Sequence, residues 1–188
     1  MNRKETLQQT IARLAAEAAR KPVSRPVVTD EQVAARLEQL HQEHGYIPSG
    51  QIVEPIRDFL AGYALLLSGK AGVGKTFLVR SLGVRIYTVD DVLSYGLRRL
   101  RTFFDWTDGH NICIDDIGAE GVTHEYGAKD DVIKTVIAHR EGRQDGLTHV
   151  TTNLDSTAIR ERYGDRTLSR LLGMCKPHRM TGENRRRA

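Results

Sequence analysis

The chain has 188 residues, 39% of them apolar, with 28 Lys or Arg against 24 Asp or Glu and a formal net charge of +4. That length buries one core with an appendage and hardly two full domains. The longest apolar run, around Ala64 to Leu67, falls far short of the roughly 20 residues of a spanning helix. The polar opening "MNRKETLQQT" also lacks the apolar segment and cleavage site of a secretory signal, so a cytoplasmic protein with no membrane segment is expected.

From Lys4 to Arg20, the residues Leu7, Ile11, Leu14 and Ala18 fall at helical spacing among polar neighbours, which predicts an amphipathic helix. The two prolines of "KPVSRPVV", Lys21 to Val28, break it and mark a linker. Thr29 with Gln32 three residues on predicts a capped second helix, with Val33, Leu37 and Leu40 as its stripe and His44-Gly45 as its end. A short helix between Val53 and Ala61 leads into the strand "YALLLS", Tyr63 to Ser68. Beyond it strands and helices alternate: "VRIYTV" strand, "DDVLSYGLRRLRTFF" helix, "NICIDD" strand, "KDDVIKTVIAHRE" helix, "LTHVTTN" strand, then helices over Asp155 to Tyr163 and Thr167 to Met174. This order predicts an α/β fold whose parallel sheet is covered by helices.

Two cysteines, Cys113 and Cys175, are too few and too far apart for a disulfide framework, and Cys113 inside "NICIDD" reads as a small buried thiol. The 7 histidines show no metal-ligand spacing; Cys175 and His178 supply at most half of a zinc site. Charge is concentrated at the end: Lys176, Arg179, Arg185, Arg186 and Arg187 outweigh Glu183, so this stretch equals the +4 of the whole chain. Such a tail is a solvated surface, a phosphate-sensing arginine or a contact for nucleic acid backbone.

Chemistry enters at "GKAGVGKTF". Gly69, four residues, then Gly74-Lys75-Thr76 is the phosphate-loop pattern, here between a strand and a helix. Backbone amides of Gly69, Lys70, Ala71, Gly72, Val73, Gly74 and the first helical residues through Phe77 are expected to cradle the phosphates of ATP, Lys75 reaching the terminal ones and the Thr76 hydroxyl ligating Mg²⁺. A loop of this kind needs an acid at the end of a neighbouring buried strand, and "ICIDD" supplies Asp115 for the metal and Asp116 to polarise the attacking water, with Glu120 as a rival for the latter role. "VTTNL" offers Thr151, Thr152 and Asn153 where a third strand exits, Asn153 being able to hydrogen-bond both water and phosphate.

In that order and at those intervals, "GKAGVGKT", "ICIDDIGAE", "HVTTNL" and "YGDRTLSRL" resemble the AAA+ ATPases of the DnaC/IstB type, bacterial and phage helicase loaders and transposition helper ATPases. The similarity spans Tyr63 to Arg186. It implies a P-loop NTPase fold of AAA+ type with a five-stranded parallel sheet, to which the helical spacing before residue 48 adds a short N-terminal helical extension. In a departure from the family's pattern, the short stretch from Gly182 onward leads to the expectation of no separate C-terminal lid. The resemblance also implies that Arg170, with Arg166 as its alternative, acts as an arginine finger in a neighbouring subunit, and that Arg186 in "GENRR" senses the phosphate. An arginine on this leucine-bearing helix is otherwise a surface residue or the partner of a local acid.

The domain expectation is an extension at 1–48, the candidate partner-binding region, and an ATPase core at 49–188. The function implied is an ATP-hydrolysing helicase-loader-like protein of DNA replication that binds a replicative DNA helicase through its N-terminal helices and also binds single-stranded DNA. Candidates for the DNA contact are Arg98, Arg99 and Arg101 of "RRLR", the basic tail, and the aromatics Phe103, Phe104 and Trp106. The alternatives are a transposition helper of the same fold and, from another class, a small-molecule kinase, which "IDDIGAE" followed by "TTNL" disfavours.

Overall fold

The structure, a computed structural model, describes residues 25–45, 50–120, 126–143 and 145–184, with the backbone alone for 126–130. The expected helix from Lys4 to Arg20 and the terminal arginines lie outside these residues.

The first described helix, α1 (Asp30–His44), begins as its sequence predicts: Thr29 and Gln32 form a reciprocal capping box, Asp30 and Glu31 occupy the first turn, and Gly45 closes the helix in the left-handed conformation. After a single 3-10 turn (Gly50–Ile52), α2 (Val53–Leu60) leads into β1 (Ala64–Ser68). The chain continues through α3 (Lys75–Ser81), β2 (Arg85–Thr88), α4 (Val89–Thr107), β3 (Ile112–Ile117), α5 (Tyr126–Glu141), β4 (Thr148–Thr152), α6 (Ser156–Tyr163), α7 (Asp165–Met174) and β5 (Cys175–Arg179). The sheet order is β2-β3-β4-β1-β5 and every pairing is parallel.

Strand alternation divides the core. Ala64 and Leu66 of β1, with Ile112 and Ile114 of β3, face a cluster built from α4, α5, α6 and α7, including Phe103, Ile133, Ile137, Ile159 and Leu171. Leu65, Leu67 and Cys113 point the other way, onto Ile56 of α2 and Leu78 and Val79 of α3, and Val33 and Leu40 of α1 complete this second cluster. Helices thus cover both faces, as an all-parallel sheet requires. Cys113 is fully buried, and burial raises its thiol pKa well above the ordinary value. Among the described residues no helix is long and apolar enough to cross a membrane.

Two features depart from what residue periodicity shows. β5, "CKPHR", carries no alternating apolar pattern, because it is an edge strand buried mainly at Cys175, and Pro177 is tolerated there since one side of an edge strand needs no donor. The helix after β2 is broken at Gly96, whose φ of 56° and ψ of 171° leave helical space, so α4 is two helical pieces joined at the one residue type that adopts this conformation without a steric penalty.

The end of the sheet opposite the phosphate loop is stapled by Arg140. Its guanidinium is buried and donates to Thr148 Oγ1 at 2.7 Å, the Thr107 carbonyl at 2.9 Å and the His110 carbonyl at 2.9 Å, tying the end of α4 to β4. Asp108 lies 3.5 Å from it and 3.0 Å from His139, whose ring stacks on Phe104. Arg140→Met removes these donors and leaves buried carbonyls unpaired. We expect a loss of about 3 kcal/mol of stability in urea denaturation.

His149, the second residue of β4, has no solvent exposure, its Nδ1 accepting from the Leu65 amide at 3.2 Å and Phe59 packed 5.6 Å away. Nδ1 as an acceptor requires the neutral ring, and burial lowers its pKa from 6.5 to about 4. The neutral form is favoured by folding, so its contribution is complete above pH 6.5 and is lost as pH falls from there towards 4. Denaturation of the wild type should show about 2 kcal/mol less stability from this group at pH 5 than at pH 7.5. A His149→Leu variant should lack that component.

Candidate functional site

The loop between β1 and α3 is clamped from both sides. Gly69 N–H donates to the Thr152 carbonyl of β4 at 3.2 Å, and Met180 N–H, just past β5, donates to the Ser68 carbonyl at 2.7 Å. The Met180 carbonyl lies so close that a Cβ on Gly69 would stand 2.1 Å from it, and φ at Gly69 is 147°; no residue with a side chain fits there. The segment after β5 is held in turn by Gln51, whose Nε2 donates to the Thr181 carbonyl at 2.6 Å while its Oε1 accepts from the Thr181 amide at 2.7 Å. Asn184 packs against Gly72 of the loop. No pattern in the sequence points to Gln51, because its partner is 130 residues away.

α3 has Gly74 as its N-cap residue and no side-chain cap, leaving its first amides without a capping side chain at the end of the loop. Lys75 is buried, and its ammonium donates to the carbonyls of Gly69 at 2.7 Å and Lys70 at 3.0 Å and to Asn153 Oδ1 at 2.8 Å. Asn153 Nδ2 donates to Asp116 Oδ1 at 2.7 Å, so Lys75, Asn153 and Asp116 form one hydrogen-bonded chain across β1, β4 and β3. Thr76 Oγ1 donates to Asp115 Oδ1 at 2.8 Å. Thus the loop lysine and threonine, both acids of β3 and the asparagine after β4 meet in one place. An aliphatic hydroxyl beside a carboxylate is an all-oxygen donor set of the kind Mg²⁺ takes.

Other residues singled out in the sequence fall elsewhere. Glu120 is buried and engaged: it accepts from Tyr163 Oη and from the Gly118 amide at 2.8 Å, with Arg162 at 3.3 Å, and so fastens the turn after β3 to α6. These partners leave Asp116 as the acid linked to Asn153. Arg170, half-buried on α7, makes an ion pair with Glu141 at the end of α5, Nε to Oε2 2.9 Å, and Arg166 is exposed. Phe77, in the first turn of α3, is 43% exposed. Arg186 lies outside the described residues.

Among the aromatics, Phe103 is core and Phe104 is stacked on His139, whereas Trp106 is 60% exposed. Arg101 pairs with Asp105 at 2.9 Å and Arg99 donates to the Ser94 carbonyl. Cys175 donates to the Thr148 carbonyl and His178 pairs with Asp58, and no cluster of three His, Cys, Asp or Glu suited to a metal occurs among the described residues. Lys75→Ala, which deletes the cation central to the loop, should weaken binding of a fluorescent ATP analogue by about a hundredfold or more in a direct titration.

No protein-family model matches the chain, and no curated protein matches it. Solved structures do. A crystal structure of the DnaC helicase loader aligns with a TM-score of 0.50 at 19% identity, covering 85% of this chain and 95% of that one. A crystal structure of DnaI gives 0.51 at 21% identity, covering 86% of this chain and 88% of the other. With five parallel strands, helices on both faces and a phosphate-loop sequence after β1, the chain has a P-loop α/β fold that it shares with these two proteins.

Proposed function

We propose that this chain is an ATP-binding and ATP-hydrolysing helicase-loader-like protein of DNA replication that engages a replicative DNA helicase and single-stranded DNA. The observation that carries this reading is the hydrogen-bonded chain Lys75–Asn153–Asp116 beside Thr76–Asp115, on a fold shared with a helicase loader.

In this reading the loop from Gly69 to Phe77 holds the nucleotide, with Arg186 contributing from the C-terminal segment. Thr76 and Asp115 would hold Mg²⁺, which when bound neutralises charge on the phosphates. Asp116, fixed by Asn153, orients and polarises the attacking water. Asn153 contacts both the lysine and the acid, so one side chain couples phosphate binding to water placement. Phosphoryl transfer is chiefly placement and charge stabilisation, so these roles suffice without a covalent step on the protein.

Arg170 is assigned as a finger acting on a neighbouring subunit's nucleotide. In its own subunit it is tethered to Glu141 by a partly exposed ion pair of about 1 kcal/mol. Partner contact is assigned to the extension at 1–48, and the ATPase core to 49–188. Of the extension, α1 buries Val33 and Leu40 against the core and keeps its remaining face outward.

Asp116→Asn should bind the fluorescent ATP analogue as the wild type does and release no phosphate. Arg170→Ala should lower turnover by roughly a thousandfold. Mixed with Lys75→Ala protein, whose arginine is intact, it should regain activity that neither variant has alone. The full-length Asp116→Asn protein, loaded with ATP and used as bait in a lysate of its native host, should retain a replicative helicase. Retention of a transposase instead would assign the chain to the transposition helpers.

A further inference from the structure

β3 and β4 pair with an irregularity at the site itself. Ile114 stands opposite Val150 and Ile117 opposite Thr152, so three steps along β3 match two along β4. One extra residue is accommodated at Asp115–Asp116, a bulge in a parallel pair, where bulges are rare. Asp116 takes up the misfit with φ of 63°, the single positive φ at a non-glycine position among the described residues.

Thr151 is the residue of β4 that faces the two bulged ones. It is fully buried, and its hydroxyl accepts from the Asp116 amide at 2.8 Å and donates to Asp115 Oδ1 at 2.6 Å. The amide displaced from the sheet ladder by the bulge thereby keeps an acceptor, and the hydroxyl proton is committed to the carboxylate. Asp115 Oδ1 then receives two hydroxyls, from Thr151 and from Thr76, 2.6 and 2.8 Å away. A carboxylate held from behind by one hydroxyl presents a fixed orientation to whatever its other lone pairs bind.

We infer that Thr151 is a positioning residue for both acids: through one hydroxyl it orients Asp115 towards the metal position beside Thr76 and pins the backbone of Asp116 so that its carboxylate meets Asn153. This inference rests on the ATP-Mg²⁺ reading of the site. Valine has the shape of threonine without the hydroxyl, and serine keeps the hydroxyl, so the two substitutions separate the hydrogen bonds from the packing.

The test is a titration of MgCl2 into full-length protein saturated with a fluorescent ATP analogue, alongside amide hydrogen exchange at Asp116 in nucleotide-free, metal-free protein. Thr151→Val should raise the Mg²⁺ midpoint by about tenfold or more, leave metal-free nucleotide affinity within about twofold, and speed exchange at Asp116 by about tenfold. Thr151→Ser should restore all three. In turnover, kcat should fall more than KM changes. A Thr151→Val protein that melts early yet keeps the wild-type Mg²⁺ midpoint would make Thr151 a packing residue and overturn the inference. Should the valine protein not fold, Thr151→Cys, with its weak donor, decides by the same midpoint. A wild type whose nucleotide binding ignores Mg²⁺ would overturn the ATP-Mg²⁺ reading itself, and the inference with it.

Discussion

A parallel sheet delivers the carboxyl ends of all its strands to one edge, and the site depends on this constraint. β1 ends in the loop that carries Lys75 and Thr76, β3 carries Asp115 and Asp116 just before its end, and β4 carries Thr151 near its end with Asn153 just beyond it. Placing β4 between β1 and β3 brings its terminal side chains within reach of both neighbours at once. Asn153 bonds one way to the lysine and the other way to the acid, while Thr152 lends its carbonyl to the first glycine of the loop. A strand order that separated β1 from β3 by more than one strand would leave these groups too far apart for a single asparagine, since each strand adds about 4.8 Å.

The parts of this arrangement that sequence makes visible are those written in short-range pattern. Glycine spacing marks the loop, three apolar residues before two aspartates mark β3, and the Thr29–Gln32 spacing marks the start of α1. Buried strands that cover both faces are nearly uniform in apolarity, so β1 and β3 were plain while the edge strand β5, with Lys, Pro, His and Arg, left no trace in residue periodicity. Contacts that join distant positions were hidden for a different reason. Gln51 on Thr181, Arg140 on Thr107 and His110, and Glu120 on Tyr163 involve ordinary polar residues whose partners only the fold selects. Thr151 lies between these cases. The two-residue repeat of a strand puts 151 and 153 on the same side, which is the signal that connects it to Asn153, but the bulge that gives it two partners is a tertiary event.

Polar burial is divided between the two ends of the sheet with different consequences. At the end away from the loop, Arg140 and Asp108 satisfy each other and the backbone, a closed set that fixes how α4, α5 and β4 meet. At the loop end, Lys75, Asn153 and Asp116 are also joined to one another, while the Asp115 carboxylate accepts from Thr76 and Thr151 and keeps lone-pair capacity for a further partner. The first set specifies the fold, and the second keeps a charged crevice in order while leaving chemistry to be done there.

The left-handed backbone at position 116 also narrows which acid can stand there. Aspartate and asparagine enter that region several-fold more readily than other side-chain-bearing residues, because a short polar side chain can bond locally and avoids crowding the preceding carbonyl. Glutamate gains no such relief. The bulge on β3 therefore selects an aspartate for the second acid on steric grounds, before any requirement of catalysis is considered, and the shorter side chain is brought to its partner by the turn of the backbone instead of by its own reach.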